Sequence, residues 1–376
     1  MRTMSSALGT PRFTSHAHCA RKSSSSIPAR TCGCPKRSRV KNLLINRERV
    51  FYHVGQCFRK NPRMGEPLPS PIPPQDEPQQ AALHTPISEH PVHKVFLGPS
   101  GLRAGWRLLL YLAVVATMYL LVGAVVYYLP ELGIRGVRID LIVEIGRLVF
   151  VVGIPTLLMA RIEGRPIGCY GLPGRSAFGK LFWAGAAWGL AALTVLMLCM
   201  HWAGVFDFGS VVLHGGRLIK FAAFWAFLFL LVGLQEELLV RGYPQHVLTE
   251  ALGFWPAAVV GSLAFGGIHF WNPGENWIGL AGAALIGLFF CLTLRRTGNL
   301  WFAVGFHASW DWGESFLYSV PDSGAKSPGH LLSSSFHGSP WLTGGSVGPE
   351  GSVFLFLVIA LIWVAFDRMY RQAKYC

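Results

Sequence analysis

Two adjacent carboxylates, Glu236 and Glu237, stand at the end of an apolar run that begins near Phe221, and Arg241 follows four positions after the second. A carboxylate at membrane depth costs about 2.5–3.5 kcal/mol on insertion scales, so its presence there points to a function. On a helix, Glu237 and Arg241 share a face and can pair. Glu236 lies about 100° round the axis and lacks that partner. One carboxylate is thus expected to be held structurally, while the other is left to act as a general base, a task that burial suits by raising a carboxylate's pKa.

Two further polar positions interrupt apolar segments. His269 ends Phe265-Gly266-Gly267-Ile268-His269, and His307 is followed four residues later by Asp311. His and Asp at that spacing project from one helical face, as an imidazole and its orienting carboxylate do, or as two metal ligands do. Each feature alone has a plainer explanation: a wet glutamate pair at a helix end, a hydrogen-bonded core histidine, an interhelical polar pair. Together they place ionisable groups on three apolar segments within about 75 residues, which suggests convergence on an interior polar site. Such a set suits hydrolysis by an activated water, with or without a metal.

These residues must be positioned by membrane helices. The 376-residue chain is 52% hydrophobic and 14% charged, against about 25% charged in soluble domains. From Leu102 onward, runs long enough to cross a hydrocarbon core of about 30 Å recur, at 108–129, 141–160, 181–202, 221–239, 254–270, 278–294, 300–317 and 353–366. The expected fold is therefore all-α and polytopic, with about eight transmembrane helices and a polar intramembrane cavity. Lys and Arg cluster in alternate connections, at Arg103 and Arg107, Arg161 to Lys180, Arg295 and Arg296, and Arg368 to Lys374. That bias predicts both termini in the cytoplasm and a multi-pass protein of the cell inner (plasma) membrane. The connection 319–350, rich in Gly, Ser, Pro and His, is expected to be an exposed outer loop.

The net charge of +14 suggests nucleic acid until it is located. Residues 1–63 hold 14 of the 33 Lys/Arg and one acid, Glu48, so the rest of the chain is near neutral and no nucleic-acid partner is expected. This basic, low-complexity stretch is expected to be a disordered or transit-like tail, or an over-extended gene start, with Met64 as the native beginning. Residues 64–101 are Pro-rich and read as a disordered lead-in, and 102–371 as the membrane domain. The cysteines follow no framework spacing.

Glu-Glu-x-x-x-Arg (Glu236, Glu237, Arg241), Phe-x-x-x-His (Phe265, His269) and His-x-x-x-Asn/Asp (His307, Asp311), in this order on successive spans, resemble the CPBP family of CAAX proteases and bacteriocin-processing proteins, also called Abi or type II CAAX prenyl endopeptidases. The resemblance implies an intramembrane endopeptidase with a cavity open to the cytoplasm, acting on a peptide or membrane-protein substrate among membrane lipids. It implies Glu236 as the carboxylate that activates water with help from His269, and Glu237 with Arg241 as an orienting pair. His307 and residue 311 would bind the oxyanion or a metal. The eukaryotic members carry Asn at that last position; Asp311, when ionised, only accepts hydrogen bonds, which favours a metal ligand or a partner of His307. No cofactor follows with certainty, but His269, His307 and Asp311 are the candidate ligands if Zn2+ is used.

Two other classes fit the same residues: a transporter or protease-like scaffold using the carboxylates for protons or cations, and a di-histidine haem site. A geometric difficulty accompanies the peptidase reading. If the fourth span ends near Arg241 and the fifth begins at Phe254, His269 lies about 22 Å from the end at which Glu236 sits. The site then closes only through strong tilting or a re-entrant connection between Gly242 and Trp255.

Overall fold

Among the described residues, apolar runs bounded by Gly, Pro or charged turns fold into eight long helices that alternate between two ends of the bundle. The protein is represented by a computed structural model that describes residues 96–98 and 101–375. The expected tail 1–63 and nearly all of the lead-in 64–101 lie outside the described residues. The helices are α1 (Ala104–Tyr128), α2 (Val137–Glu163), α3 (Lys180–Trp202), α4 (Gly215–Leu252), α5 (Phe254–Trp271), α6 (Trp277–Thr297), α7 (Trp301–Trp312, continued by a wider π-type turn over Gly313–Tyr318) and α8 (Phe354–Met369). The first six are long and apolar enough to cross a membrane. The seventh carries Asp311 and Glu314, and the eighth has only 16 residues. Elsewhere, two-residue strands pair as short hairpin-like contacts, Leu97–Gly98 with Gly101–Leu102 and Phe206–Asp207 with Ser335–Phe336.

Direct contacts define one end of the bundle. Arg107 at the start of α1 bonds Glu163 at the end of α2 (2.8 Å) and Glu250 at the end of α4 (2.6 Å), and Arg165 also reaches Glu250 (2.9 Å). At the end of α6, the Arg295 guanidinium lies 4.9 Å from the Phe254 ring that opens α5, and Arg296 pairs with Asp367 of α8. Trp301, opening α7, donates to the Pro173 carbonyl in the connection from α2 (3.1 Å). The basic loops read from the sequence therefore gather at one end. The connections 129–136, 203–214, 272–276 and 319–353 lie at the other.

Close packing of α3 on α7 follows from small residues. A Cβ at Gly185 would collide with the Phe302 carbonyl, one at Gly189 with Phe306 O and Ser309 Oγ, and one at Gly305 with Phe182 O. Glycines at these points let two backbones touch, the usual device of membrane helix pairs. Gly233 of α4 faces α7 in the same way, where a Cβ would stand 3.2 Å from Val304 O and 3.4 Å from His307 Cβ. The His307 turn of α7 is thus wedged between α3 and α4.

The depth difficulty is resolved by the length of α4. It does not stop near Arg241 but runs on through a π-type stretch, Leu238–Gly242, and a further helical segment, Tyr243–Leu252. The chain reverses only at Gly253, whose φ of 83° favours glycine. No irregular re-entrant loop is present between Gly242 and Trp255. Glu236 lies 17 residues before Gly253 and His269 lies 16 after it, so both are about 24–26 Å from the turn along antiparallel helices. Arg241 and Phe265, each twelve residues from Gly253, confirm the register: the guanidinium lies 4.2 Å from the ring centre. Tyr243 and Val247 of the extension are buried against Tyr111, Met159 and Tyr170, which is why the helix continues.

The connection 319–353 departs from the expected exposed loop. Val320, Pro321, Val347, Pro349 and Gly351 are buried, and the Trp225 indole of α4 donates to Pro328 O (3.0 Å). It folds back over the helix ends.

Candidate active site

Glu237 and Arg241 form an ion pair at 2.8 Å between side chains with no exposed surface. The Arg241 guanidinium lies between the Phe265 and Phe290 rings (4.2 and 5.6 Å) and against Gly287, where any side chain would collide with it. Buried charges persist where they are paired and held by such contacts.

From this pair the geometry passes to His307, whose Nδ1 is 3.2 Å from Glu237 Oε1. An ionised carboxylate only accepts, so Nδ1 donates, and Nε2 is the nitrogen turned to the other carboxylates. Glu236 Oε2 lies 3.6 Å from it and Asp311 Oδ2 3.7 Å. The adjacent glutamates thus differ as the helix geometry predicts: Glu237 is sealed, whereas the Glu236 side chain keeps 30% of its surface. His269 Nδ1 donates to Phe265 O (2.8 Å), which leaves Nε2 with a free lone pair in the neutral ring. The Phe265 ring separates the two imidazoles, at 4.7 Å from His269 and 6.4 Å from His307.

Glu236, His269, His307 and Asp311 all line one cavity of about 600 Å³, while Glu237 and Arg241 stand behind its wall. The structure therefore brings together all six residues expected from sequence. The exposed members of the lining, Asp140, Ile268, Pro273, Ala325, Lys326 and Pro328, belong to the end opposite the basic one. Two sequence expectations, a cytoplasmic basic end and a cavity open to the cytoplasm, are thus at odds.

A zinc site needs three or four N, S or O donors closing round one point at about 2.0–2.3 Å. His307 Nε2 has Glu236 and Asp311 as neighbours, but His269 is not gathered with His307 and Asp311 into one donor cluster. Among the described residues, the donor atoms that do lie within 4.8 Å of one another belong to Glu314, Asp322 and Glu350. The histidine set as it stands does not fit a closed zinc site.

Sequence reasoning passed over several polar residues near the cavity. Glu144 of α2 is buried, accepts from Gln235 (2.7 Å) and pairs with Arg147 (2.9 Å). As a lone acid in an apolar span it carried the same signal as Glu236. Glu314, three residues after Asp311, carried it too. Asp322 and Glu350 sit in a polar connection and had no such signal. Burial and the nearby Asp311 and Glu350 carboxylates push Asp322 well above the usual carboxylate range.

Residues 218–313 match the family model described as type II CAAX prenyl endopeptidase Rce1-like. The match supports a place in the CAAX/CPBP-type intramembrane protease family. It runs from α4 through α7 and includes Glu236, Glu237, Arg241, His269, His307 and Asp311. The family is one of membrane endopeptidases, which agrees with the apolar helices. No curated protein and no solved structure matches the chain.

Proposed function

We propose that this protein hydrolyses a peptide bond inside the membrane with a water activated by Glu236. The observation that carries the proposal is the unequal treatment of two neighbouring carboxylates: Glu237 is sealed against Arg241, while Glu236 enters a 600 Å³ cavity beside His269, His307 and Asp311. A carboxylate so placed can take a proton from water as that water attacks the scissile carbonyl, and the same proton can then pass to the leaving amine. His269, with Nε2 unengaged, is the second group able to hold the water or move the proton. His307 is fixed by Glu237 through Nδ1, so a proton on Nε2 is presented to the developing oxyanion. Asp311 cannot donate when ionised, and its role is to orient His307, whose Nε2 lies 3.7 Å from Oδ2.

The basic end is proposed as cytoplasmic from its charge bias, with both the start of α1 and the end of α8 on that side. Substrate then reaches the cavity from the opposite face or between helices, not from the cytoplasm.

The proposal is tested with purified protein in nanodiscs and a library of membrane-anchored peptides that includes prenylated Cys-terminal motifs. Wild type is expected to cleave a subset, with His269→Ala slower by about 10²-fold or more. Undiminished cleavage by His269→Ala would remove that residue from the chemistry, and no cleavage of any peptide would count against the peptidase reading.

A further inference from the structure

One turn past Asp311, on the wall of the same cavity, three carboxylates meet. Glu314 lies one turn beyond Asp311 on α7, in the wide turn that closes the helix, and has no exposed surface. Both of its carboxylate oxygens are buried and neither accepts a hydrogen bond of normal geometry, the Trp310 indole being a neighbouring donor. Asp322 and Glu350 approach from two separate parts of the connection between α7 and α8, and one oxygen of each of the three lies within 4.8 Å of the others. Among the described residues, none of the three enters an ion pair. Glu350 is held in place by Ser323, whose N–H (3.2 Å) and hydroxyl (2.7 Å) donate to Oε2. Asp322 is held by its turn, with backbone bonds to and from Ala325 (2.9 and 2.8 Å), and weakly by the Ser315 hydroxyl (3.4 Å).

An unpartnered carboxylate in the interior is costly, and two more beside it raise that cost by mutual repulsion. A cation that took oxygen from all three would offset that cost. The donors are all oxygens, with no imidazole or thiolate among them, a set suited to hard cations and not to zinc. We propose that Glu314, Asp322 and Glu350 form a binding site for a hard divalent cation of the Ca2+ class, reached through the cavity. Asp322, Ser323 and Glu350 line that cavity, which gives the ion its route. Bound there, the cation ties the α7–α8 connection to the end of α7, one turn from Asp311. It is a structural and electrostatic element, and its binding needs no peptidase activity.

The test uses the full chain in nanodiscs, stripped with chelator and titrated with Tb3+, a luminescent probe for Ca2+ sites. Trp310 lines the same cavity and can sensitise the emission. The expected result is saturable emission corresponding to one ion per chain, displaced by Ca2+, and a higher Tm in Ca2+ than in chelator. Asp322→Asn and Glu350→Gln are each expected to weaken binding by about tenfold or more, because affinity at such sites follows the number of charged ligands. Glu314→Gln is the harsher variant and can fail to fold; the other two and the wild-type titration do not depend on it. No saturable binding at millimolar Ca2+ would overturn the site, as would equal binding by wild type, Asp322→Asn and Glu350→Gln, which would mean an adventitious ion only.

Discussion

Glu237 and Glu236 are neighbours whose substitution should have opposite consequences. Removing the charge of Glu237 leaves Arg241 buried and unpaired, and loss of one partner of a sealed pair costs about 3–5 kcal/mol. Glu237→Gln should therefore lower thermal stability sharply and release His307 from its orientation. A Glu237→Gln protein with an unchanged Tm would show that Arg241 is satisfied in some other way. Glu236 has its carboxylate in the cavity with no bond to lose apart from the loose approach to His307, so Glu236→Gln should fold and melt as wild type does. The distinction was legible in the sequence from a single spacing, Glu237 to Arg241, because i,i+4 neighbours meet on any helix. The contact of Glu237 with His307 was not legible: it joins positions 70 apart and depends on how closely α4 and α7 approach.

At the scale of elements, that approach rests on glycine. Gly185 and Gly189 let α3 seat α7, and Gly233 lets α4 lie against the His307 turn. Gly185→Ala puts a methyl into the Phe302 carbonyl and should destabilise by about 1–3 kcal/mol, as overpacking does. Activity should fall with it, since α7 carries His307 and Asp311. A melting curve and a cleavage rate on the same preparation check both effects, and an unaltered Tm would mean the helices can part without loss. Helix positions were readable from the apolar runs, but helix ends were not. The segment Tyr243–Leu252 has Pro244, His246 and Glu250 and looks like a loop by composition. It is helical because its polar groups have partners on other elements: Glu250 with Arg107 and Arg165, Tyr243 with Glu163. That extension sets the depth of His269, so the one uncertainty that most affected the site lay in contacts from elsewhere in the chain.

For the whole molecule, the charge bias and the cavity point to opposite faces. If the basic end is cytoplasmic, an impermeant thiol reagent applied outside intact cells should label Lys326→Cys at the cavity rim and leave Arg371→Cys unlabelled. The reverse pattern would put the cavity on the cytoplasmic side. The connection 319–353 is the part of the architecture least visible in sequence. Its Gly and Ser content suggested a free loop, but it packs back through buried aliphatic side chains and brings Asp322 and Glu350 to Glu314, so chelator treatment should lower the Tm of wild type more than that of Glu350→Gln.

The central claim is that Glu236, and not its neighbour, performs the chemistry. It is tested most directly by single-turnover cleavage of one identified peptide in nanodiscs, comparing wild type with Glu236→Gln at equal folded protein. The account predicts a matched Tm and a rate lower by about 10²–10⁴-fold, the range general-base removal produces. A Glu236→Gln rate within about twofold of wild type, below the effect of any catalytic proton transfer, would contradict it.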